Sequence, residues 1–162
     1  MAYTDAYINR EPVRNGHMQH CLAKTLQAIE ESIEPILHEF DAIVVSGLSG
    51  VIPGAIIAHK YNKQLVVIRK DDDVCHGIRI EGASYFPVGT PYIIFDDVMA
   101  SGRTMQRILN AVEDVGHKLP LYVLLYRHYW VNISTNYGEI GGHHFNHNLY
   151  VLHIKKKRGG KL

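Results

Sequence analysis

Asp96 and Asp97 stand side by side at the end of an apolar run, Tyr92 to Phe95, and five mostly small residues follow close behind them: Ala100, Ser101, Gly102, Arg103 and Thr104. The run has no polar alternation, which predicts a strand covered on both faces. Beyond the small residues, Met105, Ile108, Leu109, Val112 and Val115 recur at helical spacing, with Gly116 as the expected stop. Residues 100–104 therefore fall at a helix N-terminus, where unpaired backbone N–H groups and two hydroxyls make a seat for phosphate. The acids fall at the C-terminal end of a strand, where open parallel sheets bind ligands. Carboxylates beside a phosphate cradle repel a bare polyphosphate. They suit a ligand carrying hydroxyls next to its phosphate, such as a sugar phosphate, with a cation.

A second constellation lies upstream. Ser46, Gly47, Leu48, Ser49 and Gly50 join the apolar run Ala42 to Val45 to a stretch, Val51 to Ala58, that is apolar nearly all round. Strand, glycine-rich turn and buried helix form a common anion-binding arrangement. Arg69 and Lys70 end the next apolar run, Leu65 to Ile68. A nucleophilic serine elbow needs G-x-S-x-G, and Val51 follows Gly50, so the second glycine falls in the wrong place. Neither a Walker sequence nor G-x-G-x-x-G occurs. Hydrolase and dinucleotide-binding readings are set aside.

The elements that must position these groups are legible in outline. Leu22, Leu26, Ile29, Ile33, Ile36 and Phe40 recur at helical spacing, and Pro35 kinks or divides that helix. Strands are predicted at Ala42 to Val45, Leu65 to Ile68, Tyr92 to Phe95, Leu121 to Tyr126 and Leu149 to Ile154. Strands alternating with helices predict an α/β fold: a Rossmann-like, mainly parallel sheet of about five strands with right-handed crossovers, flanked by helices. The connection from Asp71 to Thr90 is long and contains three glycines and an Asp71, Asp72, Asp73 run. Connections of that length serve as lids or form hairpins. Arg127 to Asn148 is aromatic and histidine-rich, and it leaves the fourth strand at the ligand end of the sheet.

With 162 residues, the chain fits one domain with a single sizeable core. No apolar run approaches the about 20 residues of a membrane span, and the N-terminus lacks a basic-then-apolar signal. Cys21 and Cys75 are isolated, so reduced thiols in a cytoplasmic protein are expected. The formal charge is +1, but Lys155, Lys156, Lys157, Arg158 and Lys161 crowd the end and leave the body mildly acidic. That tail reads as a solvated terminus, with nucleic-acid contact as the other reading. His143, His144 and His147 lack a nearby acid and read as ordinary loop histidines rather than a zinc site. Tyr129 and Trp130 read equally as packing or as a platform for a flat base.

The sequence Tyr92 to Thr104, YIIFDDVMASGRT, resembles the PRPP-binding motif of the type I phosphoribosyltransferases at every position. The resemblance covers about residues 42–116. It implies Mg²⁺-dependent transfer of ribose 5-phosphate from PRPP to a nucleobase with release of pyrophosphate. Ala100, Ser101, Gly102, Arg103 and Thr104 would hold the 5′-phosphate. Asp96 and Asp97 would take the ribose hydroxyls, offset charge on the sugar and meet the metal indirectly, through hydroxyls or water. Leu48, Ser49 and Gly50 resemble the pyrophosphate loop, with a cis peptide implied between Leu48 and Ser49, and Arg69 and Lys70 would add cations. Arg-Lys at a strand end is similar to the adenine and orotate branches, and residues 100–105 to the adenine branch. Ala100 stands where 6-oxopurine enzymes carry an acid, which argues against those bases. Ser49 and Arg103 depart from the adenine pattern, where arginine and glycine are usual. The N-terminal helix and the residues after the fourth strand are not fixed by the resemblance; length implies a single domain over 1–162, with a core at about 42–126. A small hood from 1–40 and 127–162 would bring Tyr129 and Trp130 to the base. Arg79 and Glu81 would close as a lid, and the family implies a homodimer. The alternative is a non-catalytic PRPP-binding regulator, or a nucleic-acid-binding protein, on the same fold.

Overall fold

The computed structural model describes residues 22–70, 77–97 and 102–126, together with the backbone at 139–140, 143–144 and 151–153. Residues 1–21, Asp71 to Asp73, Cys75, Ala100, Ser101, Tyr129, Trp130, His147 and the basic tail lie outside the described residues.

Helix α1 spans Leu22–Ile33 and gives way to a 3-10 turn, Glu34–Ile36. Pro35 lacks the N–H that would continue the α ladder, so it ends the helix rather than kinking it. β1 is Ala42–Val45, α2 Gly47–Lys60 and β2 Gln64–Ile68. β3 is the two-residue strand Ile80–Glu81, and β4 is Tyr92–Asp96. α3 follows at Arg103–Asp114, then β5 at Tyr122–Leu125. β6 (Glu139–Ile140) and β7 (His143–His144) pair antiparallel, and β8 is Val151–His153.

The main sheet runs β3-β2-β1-β4-β5-β8. Its pairs are parallel except β2 with β3. The edge strand β3 is absent from the sequence expectation because two residues carry no periodic signal. It turns part of the long connection into a hairpin on β2.

Strand alternation builds two cores. Ala42, Val44, Tyr92 and Ile94 face Met105, Ile108, Leu109 and Val112 of α3. Ile43, Val45, Ile93 and Phe95 face Ile29 and Ile33 of α1 and Ile57 of α2. Each fully buried aliphatic side chain contributes about 1.5–3 kcal/mol, so both faces are strongly specified. α3 stops as the sequence predicts. Gly116 takes φ +88, and the His117 and Gly116 amides donate to Val112 and Glu113 carbonyls, a glycine-terminated cap. No helix among the described residues is long and apolar enough to cross a membrane.

Candidate functional site

β1 and β4 are neighbours, but the chain moves outward from β1 to β2 and in the other direction from β4 to β5. The segments leaving their C-terminal ends therefore diverge and open a crevice at the sheet's switch point. Asp96 and Asp97, at the end of β4, and Ser46 to Gly50, after β1, sit at that crevice.

On the β1 side, Ser46 is extended and buried, and its hydroxyl donates to the Ile68 carbonyl at 2.8 Å, tying the ends of β1 and β2 together. Gly47 then takes φ +76 and starts α2 at once. The residues expected to form a separate glycine-rich loop, Leu48 to Gly50, are the first turn of that helix. Among the described residues every peptide bond is trans, which corrects the cis bond implied between Leu48 and Ser49. The turn into the helix is made instead by the left-handed backbone of Gly47, which a residue without Cβ adopts without strain.

Pro53 lies inside α2. Proline has no N–H to give to the carbonyl four residues back, which is that of Ser49. The Tyr126 hydroxyl, just past β5, donates to this carbonyl at 2.6 Å, and the Tyr126 ring stacks on Phe95 at 5.5 Å. The Ser49 hydroxyl in turn donates to Asp96 Oδ1 at 3.3 Å. Ser49 thus joins the start of α2 to the acid pair rather than aiming its hydroxyl at the cavity alongside. Gly50 also serves packing: a Cβ there would sit 2.8 Å from the Phe95 carbonyl oxygen and 3.2 Å from Val45 Cβ.

Asp96 ends β4 and Asp97 follows it; both are buried. The Asp97 amide donates to Asp96 Oδ1 at 2.9 Å. Burial first, and then the charge of Asp97, push the Asp96 carboxyl up to about 7, against the pull of the hydrogen bonds from the Asp97 amide and Ser49. Two acids so close resist ionising together. A cationic or hydroxyl-bearing ligand relieves that repulsion.

At the head of α3, Gly102 is the N-cap in a left-handed conformation, φ 73, and its carbonyl accepts from the Gln106 amide at 2.8 Å. The amides of Arg103, Thr104 and Met105 then have no intrahelical acceptor, the situation that favours anions. Arg103 is exposed, and Thr104 is partly buried. Arg107, one turn on, donates to the Thr104 hydroxyl at 3.3 Å.

A cavity of about 560 Å³ opens beside α2 and is lined by Gly47, Leu48, Val51, Val67, Ile68, Arg69, Lys70 and Glu81. The structure thus gathers Leu48, Arg69 and Lys70 there, while Ser49 and Gly50 turn to Asp96 and the strands. Glu81 stands on β3, where it pairs with Arg69. Arg79 pairs instead with Asp114 at the far end of α3. Ser46 reads from the sequence only as part of the glycine-rich turn, and the roles of Tyr126 and Arg107 escaped the sequence reading. Only Arg107 left a signal, its helical i+3 spacing from Thr104.

The fold resembles that of solved proteins. Adenine phosphoribosyltransferase from Saccharomyces cerevisiae, solved with an imino-altritol bisphosphate and adenine, superposes with a TM-score of 0.54 at 22% identity over 69% of each chain. Orotate phosphoribosyltransferase from Aeropyrum pernix gives 0.51 at 18% identity, over 64% of this chain and 57% of that one. The fold is that of the phosphoribosyltransferases. In sequence, the adenine phosphoribosyltransferase of Pseudomonas putida is 33% identical over 103 residues, and that of Pseudomonas entomophila 32% over 106. These matches cover 56% and 57% of this chain but only 55% and 57% of those proteins, so the chain spans little more than half the length of the curated relatives it matches. No protein-family model matches the chain.

Proposed function

We propose that this chain is a phosphoribosyltransferase that moves ribose 5-phosphate from PRPP to a ring nitrogen of a nucleobase, adenine foremost, and releases pyrophosphate. The observation that carries this reading is the buried Asp96–Asp97 pair at the end of β4, hydrogen-bonded to the start of α2 through Ser49. The similarity to adenine phosphoribosyltransferases supports the choice of base.

In this reading, the nitrogen lone pair forms the bond to C1′ as the C1′–O bond breaks. The bonding electrons leave with pyrophosphate, and the base sheds a proton. Asp96 and Asp97 accept hydrogen bonds from the ribose hydroxyls and offset the cationic character that develops on the sugar. The amides at the head of α3, with the Thr104 hydroxyl and residues 100–103, hold the 5′-phosphate. Arg69 and Lys70 receive the pyrophosphate, and Tyr129 and Trp130 stack on the base.

The donor set fits Mg²⁺ carried in on the ligand. Two adjacent carboxylates are oxygen donors of the kind this ion prefers, and it retains waters readily. Asp96 and Asp97 would meet it through ribose hydroxyls or water, and it would neutralise phosphate charge. A homodimer in the cytoplasm completes the proposal.

Pyrophosphate release from PRPP, measured across adenine, hypoxanthine, guanine and orotate, tests it. Turnover is expected with adenine, and Asp97→Asn should lower kcat by roughly 100-fold or more. Tight PRPP binding without turnover on any base would overturn the enzyme reading and leave a PRPP-binding regulator.

A further inference from the structure

The cavity beside α2 contains its own anion. Glu81 Oε1 accepts from Arg69 Nε at 2.8 Å and lies 2.6 Å from Arg69 Nη2. One carboxylate oxygen thus takes the guanidinium edge that a phosphate engages by two parallel hydrogen bonds. Both side chains line the cavity with Lys70.

The contact is built in by the backbone. Val67 pairs with Glu81 and Ile68 with Ile80, and the ladder continues with the Arg69 amide donating to the Arg79 carbonyl at 3.0 Å. Gly82 takes φ +82 directly after Glu81, and a Cβ there would sit 2.6 Å from the Leu65 carbonyl oxygen. The strand is therefore pressed against β2, and only side-chain rotation can separate the two charges. Glu81 is 41% exposed at its side chain and Arg69 23%. Rotating the carboxylate into water costs little desolvation, and the exchange is easy.

We propose that Glu81 is the resident counter-anion of the leaving-group pocket, holding Arg69 when pyrophosphate is away and competing for it when pyrophosphate is bound. The inference rests on the reading of this cavity as the pyrophosphate seat. A negative charge in such a cavity works against capture. It favours departure, because the arginine regains a partner as the anion leaves, and product does not trap the enzyme.

The test is calorimetric titration of the full chain and of Glu81→Gln with pyrophosphate and with PRPP, each in Mg²⁺. Glutamine keeps an acceptor oxygen for Arg69 but removes the charge. Pyrophosphate should bind the variant roughly three- to tenfold tighter. Product inhibition by pyrophosphate should strengthen by the same factor, KM for PRPP should fall and kcat should not rise. In an Arg69→Gln background the same substitution should lose most of its effect. A role confined to stapling β3 would lower Tm and leave pyrophosphate affinity where it was. Weaker binding by Glu81→Gln would make Glu81 an orienter of Arg69, and a change below twofold would make the pair irrelevant; either overturns the inference. If the parent binds neither pyrophosphate nor PRPP, the reading of the cavity falls with it.

Discussion

Replacing Tyr126 by phenylalanine should expose how the start of α2 is held. The ring keeps its place against Phe95, while the change removes the hydroxyl and with it the 2.6 Å hydrogen bond to the Ser49 carbonyl. That carbonyl has no helical donor because residue 53 is proline. A hydrogen bond is worth about 0.5–1.5 kcal/mol net, and a carbonyl left unsatisfied in a partly buried place adds to the loss. The expected cost is therefore about 1–2 kcal/mol, a Tm drop of roughly 3–6 °C for a chain of this size. The decisive measurement is the same substitution in a Pro53→Ala background, by urea unfolding. Alanine restores an N–H that can reach the Ser49 carbonyl, so the cost of losing the Tyr126 hydroxyl should fall below about 0.5 kcal/mol. Equal costs in the two backgrounds would refute the idea that Tyr126 stands in for the missing helical bond.

Three further outcomes are expected. Asp96, pushed up to about 7 from an ordinary 3.8 by burial and the charge of Asp97, binds its proton more tightly folded than unfolded; its contribution is therefore neutral below 3.8 and turns progressively against folding as pH rises to about 7. Asp96→Asn should accordingly raise Tm at pH 8 in metal-free buffer but not at pH 4, while abolishing turnover; equal shifts at both pH values would contradict this. Gly82→Ala combines a positive φ with a Cβ 2.6 Å from a carbonyl oxygen, and should cost roughly 2–4 kcal/mol in chemical denaturation. Ile29→Ala, in the core shared by α1 and the sheet, should cost about 2–5 kcal/mol, measured the same way, whereas a loss under 1 kcal/mol would mean that α1 is not docked as described.

Much of the sheet was readable because buried parallel strands leave unbroken apolar runs: Ala42 to Val45 matches β1 residue for residue, and Tyr92 to Phe95 falls one short of β4. The helix after β4 and its stop at Gly116 were readable from periodicity and from one glycine. The start of α2 was not, because Ser46 to Gly50 has the composition of a loop and Gly47 alone makes the turn. Nor could the sequence show where side chains point. Ser49 and Asp96 lie 47 positions apart, and Ser49 and Tyr126 lie 77 apart. The pairing of Arg69 with Glu81 depends on the register of a two-residue strand.

Gly50 and Gly54 lie one helical turn apart on the side of α2 that meets β1, and a methyl at Gly54 would come within 2.8 Å of Val45 Cγ1. The helix thus packs its two glycines directly on the Val45 side chain and the Phe95 carbonyl, and its spacing from the strands is already at a minimum. Any added bulk on that side could only lever the helix outward, carrying Ser49 away from Asp96. Mutational tolerance in this segment should therefore be lopsided: free substitution on the outer flank at Ile52 and Ile56, which are exposed, and almost none at the two glycines.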